Sequence, residues 1–108
     1  MLFRSIQKLT WNPTTDRFEH AWINAEVDNS DGAAPALSAK TGLLYVAHKV
    51  DGNHQYVGID WQTGALRERW IFPDDSRLWN AFGGITTILD GGDLLIGGAF
   101  AVKRLVAN

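Results

Sequence analysis

Cysteine is absent from this 108-residue chain. Its absence excludes thiol catalysis, disulfides and cysteine-ligated zinc or iron–sulfur centres, but says little about compartment. An excess of positive charge is missing too. Ten Lys and Arg against twelve Asp and Glu give a net charge of −2. The basic residues are scattered, so there is no electrostatic footprint for nucleic acid or anionic lipid. The longest nearly apolar run, LLIGGAFAV at 94–102, is about half of the roughly 20 residues that a membrane-spanning helix requires. The N-terminal MLFRSIQKLTW has neither the apolar stretch nor the small-residue cleavage site of a secretory signal. A soluble chain without an export address is expected.

Helical periodicity is scarce as well. What is present is the balance of a globular protein, 45% hydrophobic and 20% charged residues, which excludes a disordered tail or a low-complexity linker. Eleven glycines outnumber three prolines, and five tryptophans stand in a short chain. Apolar residues come in short runs or strict alternation bounded by Gly, Asp, Asn and Pro, the signature of strands and tight turns. Nine strands are expected, at 3–11, 18–24, 34–38, 43–49, 56–61, 66–72, 84–89, 93–98 and 101–106. DGGD at 90–93 joins two of them, because paired glycines tolerate the positive φ of hairpin turns.

The chain also repeats itself. Trp22 and Trp70 stand 48 positions apart, as FEHAWI and LRERWI. Trp11 and Trp61 are 50 apart, as LTWN and IDWQ, and Leu44 to Ala47 match Leu94 to Gly97 at the same spacing. A unit of roughly 40–50 residues holding four strands is what one blade of a β-propeller requires. Runs such as LLYVAH suit inner strands covered on both faces by neighbouring blades. With strands lettered A to D outward from the axis, 1–24 reads as strands C and D of one blade. Residues 33–72 then form a complete blade, and 80–108 form strands A to C of a final one. The expected fold class is all-β, a propeller fragment of antiparallel four-stranded blades. With that phase, a truncation is expected at its start inside a blade, and a natural C-terminus waiting for an outer strand at its end after strand C. No ring of at least four blades closes with this length.

One stretch carries a family pattern. APALSAKTGLLYVAHKVDGNHQYVGIDWQTGALRERWIF at 34–72 contains Gly42, Leu44, Tyr45 and Val46, then Asp51 and Gly52, then Gly58, Asp60, Thr63 and Gly64. It resembles the blade repeat of the quinoprotein-alcohol-dehydrogenase-like (PQQ-like) propeller superfamily, in which G-x-L-Y-V is followed by a D-G turn and A-x-D-x-x-T-G. The stretch 79–105 is similar to the closing blade of uncharacterised members. Glu68 stands where the repeat usually has Trp, Trp70 comes two residues later, and Gly58 replaces the usual Ala. Without adjacent cysteines the quinone does not carry over, so no cofactor is expected. The resemblance allows a secreted or periplasmic parent protein. Asp60, Thr63 and Gly64 are explained by turn chemistry alone, Asp60 accepting from turn amides and Gly64 taking a left-handed backbone.

Candidate chemistry is sparse. His48 and His54 flank the turn KVDGN and, with Asp51, have the residue types of a metal or acid–base cluster. A zinc site needs three or four convergent ligands and no further His is near, so polar residues on a hairpin rim are expected instead. DNSDG at 28–32 and PDDS at 73–76 hold oxygens of the kind calcium uses. DNSDG, however, has Ala39 where an EF-hand has its Glu. Gly91 to Gly98 contains no phosphate-loop motif. Ser5, Ser30, Ser38 and Ser76 have no nucleophile-elbow context. His20 belongs on a solvated outer strand.

In a propeller the D-to-A connections and the B-to-C turns meet at one end of the channel. That gathers Asp31, Asp51, His54, Arg77, Trp79 and Asn80 on one surface, the expected ligand-binding set. Plugging the gap between blades is the alternative role of Trp79. The expected function is non-catalytic binding or scaffolding. The alternative is the C-terminal part of an oxidoreductase-like propeller enzyme whose catalytic residues lie outside this segment. Expected partners are the remaining blades of a longer chain or copies of this one, with a small-molecule or protein ligand at the channel mouth, and neither nucleic acid nor membrane.

Overall fold

The computed structural model describes residues 5–29, 34–82 and 84–107. Among them nine strands form three antiparallel sheets. The first pairs β1 (Ile6–Asn12) with β2 (Arg17–Asn24). The second runs in chain order through β3 (Ala36–Ser38), β4 (Leu43–Val50), β5 (Asn53–Asp60) and β6 (Leu66–Ile71). The third holds β7 (Thr86–Ile88), β8 (Leu94–Gly97) and β9 (Val102–Leu105). Every expected strand is present, and the all-β class holds.

Bounds differ where turn chemistry decides them. β5 begins at Asn53 rather than at 56, because Asp51 and Gly52 alone make the turn. Their φ values of 50° and 86° are the left-handed pair that a two-residue type I′ hairpin demands, so Val50 pairs directly with Asn53. A 3-10 turn over Arg77–Trp79 interrupts the connection from β6 to β7, its start capped by the Ser76 hydroxyl accepting from the Leu78 amide at 3.2 Å. Apolar spacing gave no sign of it.

Alternation sorts the central sheet onto two cores. Leu43, Tyr45, Ala47 and Tyr56 pack with Phe72, Ala81, Leu94, Ile96 and Leu105 towards the third sheet. Leu44, Val46, Val57 and Ile59 pack with Trp22 and Val27 towards the first. β4 and β5 are therefore apolar on both faces, which explains the unbroken run LLYVA. Each fully buried aliphatic side chain contributes about 1.5–3 kcal/mol, so these two layers hold the three sheets together.

Tryptophans tie each sheet to the next. The Trp22 indole N–H donates to the Trp61 carbonyl at 2.9 Å, with the two rings edge to face at 6.5 Å. The Trp70 indole N–H donates to the Val106 carbonyl at 3.2 Å. Both reach from the last strand of one sheet to a carbonyl just beyond a strand of the following sheet, β5 in the first case and β9 in the second. A register shift between Gly58 and Ile59 leaves Arg67 outside the β5–β6 ladder. Trp70 then lies opposite Tyr56 and faces the third sheet.

The turn after β5 is built for the same contact. Asp60 Oδ1 accepts from the amides of Gln62 and Thr63 at 2.8 and 3.0 Å, and Gly64 sits at a φ of 79°. A Cβ on Gly64 would stand 2.6 Å from the Trp22 ring. Glycine is thus needed twice there, for its left-handed backbone and as a flat seat for the indole. Near the opposite edge of the central sheet Ala34 bridges Ile85 in parallel, so the chain entering β3 runs beside the chain entering β7.

Candidate functional site

The β4–β5 hairpin sends its two histidines to opposite faces. Lys49 pairs with His54, and His48 pairs with Gln55. Cross-strand partners share a face and neighbours along a strand do not, so His48, His54 and Asp51 do not converge. His48 Nδ1 meets Asp28 Oδ1 at 3.1 Å, with both side chains 9% exposed. His54, also buried, turns towards the third sheet.

There it lines a cleft of about 380 Å³ together with Lys49, Arg77, Asn80, Phe82 and Phe100. Three connections meet at this place: the β4–β5 hairpin, the β6–β7 connection and the β8–β9 loop. Asn80 joins the last two, because its Oδ1 accepts from the amides of Phe82 and Ala99 at 3.3 and 3.0 Å. Lys103 braces the arrangement from β9. Its ammonium donates to the carbonyl of Leu78 at 3.3 Å and to that of Asn80. Lys103 is only 7% exposed whereas its neighbour Val102 is 71% exposed, the reverse of what apolar alternation implies. A buried ammonium needs such acceptors, and they fix where Arg77 and Asn80 stand.

The expected binding set divides accordingly. His54, Arg77 and Asn80 come together in the cleft. Trp79 stacks on Phe72, with centroids 4.9 Å apart and planes within 13°, and donates its indole N–H to Asp74 Oδ1 at 2.7 Å. It packs against the core of the second and third sheets and fills the gap between them. Asp51 is exposed in the hairpin turn and does not line the cleft. Asp31 lies outside the described residues.

Lys49, Phe82 and Phe100 complete the lining and were missed from sequence. Lys49 was within reach, since fixing a two-residue Asp51-Gly52 turn places it opposite His54. Phe82 and Phe100 are on irregular loops, where no periodicity marks them. The remaining sequence candidates have structural partners. Asp74 accepts from the Ser76 amide at 2.9 Å, the Ser38 hydroxyl accepts from the Thr41 amide at 3.2 Å, and His20 is exposed on β2. Among the described residues no group of three or more His, Asp and Glu side chains converges to hold a metal ion. No protein-family model matches the chain, and neither a curated protein nor a solved structure shows significant similarity to it.

Proposed function

We propose that the chain is a segment of a β-propeller with PQQ-like repeats, serving as a non-catalytic binding or scaffolding element. Its ligand surface is the cleft around His54, Arg77 and Asn80. The observation that carries this reading is the repeated indole contact, Trp22 to Trp61 and Trp70 to Val106. One step of the same kind takes the first sheet to the second and the second to the third. The parallel bridge of Ala34 with Ile85 supports inner strands that lie side by side around an axis. Loops held by packed sheets are where binding groups concentrate, and the cleft is made of three such loops.

Both end sheets expose large apolar side chains. Leu9, Trp11, Phe18 and Ile23 are exposed on the first sheet, and Leu95 and Val102 on the third. Exposed apolar side chains and open strand edges call for partners, here further blades of a longer chain or copies of this one. The test is to express the chain alone and size it by chromatography with light scattering. Mixed oligomers or aggregates are expected, and one defined multimer would identify copies of itself as the partner. A monodisperse monomer with a cooperative melt would contradict the reading.

A further inference from the structure

The cleft beside His54 has one-sided chemistry. Lys49 and Arg77 bring an ammonium and a guanidinium to its rim, and both are exposed. The Oδ1 of Asn80 is engaged by the amides of Phe82 and Ala99, so the group this side chain offers is its NH2 donor. Among the described residues that line the cleft, none carries a carboxylate. The chain as a whole is acidic, at −2, so two cations on a rim whose described residues include no carboxylate are a local arrangement rather than a reflection of composition. Phe82 and Phe100 add two exposed rings to the same lining.

We infer that this cleft binds a small organic anion, a carboxylate or phosphate carried on a flat apolar body. Arg77 takes the charged end, since its planar fork matches two oxygens of a carboxylate or phosphate. Lys49 adds a point charge across the cleft, and Asn80 adds a neutral donor. Phe82 and Phe100 cover the apolar body, which suits a site that is mostly apolar with a few placed polar groups. A volume of about 380 Å³ suits a compact ligand. The inference rests on the cleft being the ligand surface proposed above and adds the ligand class.

The test is calorimetric titration of the soluble, assembled chain with four probes: benzoate, phenyl phosphate, benzyl alcohol and benzylamine. Both anions should bind saturably, at least about tenfold more tightly than the alcohol or the amine. Their binding should weaken as salt is raised. Arg77→Glu and Lys49→Glu should each weaken the anions by about tenfold or more. Arg17→Glu, on β2, should leave their affinity unchanged. All three side chains are exposed, so each variant should melt like the parent. No saturable anion binding, equal binding of benzyl alcohol, or indifference to Arg77→Glu would overturn the inference. Tight binding of the alcohol or amine that is lost in Phe82→Ala would keep the cleft as a ligand surface and overturn only the ligand class. The sizing experiment tests the blade reading independently of any ligand.

Discussion

The central sheet presents the same two strands to two neighbours and is finished differently on each side. Towards the first sheet, β4 and β5 give aliphatic side chains to Trp22 and Val27, and the hairpin end is closed by His48 against Asp28. Towards the third sheet they give Leu43, Tyr45, Ala47 and Tyr56 to a larger, more aromatic layer. There the hairpin end stays open as the cleft beside His54. Two histidines six positions apart thus have opposite fates, one sealed with a carboxylate and one beside a pocket rimmed by cations. The two interfaces share an indole contact and differ at the hairpin end, closed on one side and open on the other.

The sharpest way to break the comparison is to remove the equivalent tryptophans. Trp22 is buried, so Trp22→Ala should cost about 3–5 kcal/mol in chemical denaturation. Trp70 is half-buried, and Trp70→Ala should cost less, about 1–3 kcal/mol. Equal losses would mean that the two interfaces depend on their indoles to the same degree.

The seat of Trp22 offers a second contrast. Gly64→Ala strains a left-handed backbone and pushes into the ring, for an expected loss of about 2–4 kcal/mol. Gly52→Ala meets the same backbone objection at a φ of 86° but finds nothing within 4 Å, so about 1–2 kcal/mol is expected. The difference between these two unfolding free energies isolates the contact with the indole.

Smaller effects separate the closed hairpin face from the open one. Asp28→Ala removes the carboxylate from buried His48 and should destabilise by about 1–3 kcal/mol. Lys49→Ala and Arg77→Ala, at the open cleft, should stay within about 0.5 kcal/mol of the parent. Thermal melts of the three variants decide the matter.

The smallest effect is on pH. The amides of Thr63 and Gln62, assisted by Arg67, hold the Asp60 carboxyl below its ordinary 3.8. The Ala107 amide, with Arg104, does the same for Asp93. Because both folded values are depressed, their stabilisation is present above the ordinary carboxylate value and is lost as pH falls through the lower folded value. Denaturation midpoints measured against pH should decline on the acid side, and Asp60→Asn with Asp93→Asn should flatten that decline. Burial of the Tyr56 phenol, only partly offset by its hydrogen bond with Thr86, raises its pKa above 10.0. A second loss is therefore expected on the alkaline side, and Tyr56→Phe should remove it.

Much of the fold was legible because strand signals are local. The runs LLYVA and LLIG, the turn residues Asp51 and Gly52, and the Asp60 to Gly64 turn are each specified by a few neighbouring residues. The site was legible only in part. His54, Arg77 and Asn80 follow from which loops share one end of a stack, a consequence of topology. Trp79 could not be assigned, since its stacking on Phe72 depends on a 3-10 turn that leaves no periodic trace. Lys103 was invisible, because its burial depends on carbonyls of Leu78 and Asn80 more than twenty positions away. Phe82 and Phe100 belong to loops, where exposure and burial obey no period.

The central sheet is packed on both faces, whereas each outer sheet packs against it on one. Amide hydrogen exchange on the chain diluted from its assembled state tests this most directly. Exchange should be slowest in β4 and β5, fast in β1, β2 and β9 after dilution, and slower in those outer strands when the assembly re-forms. Uniform protection across all three sheets in a dilute monomer would contradict it.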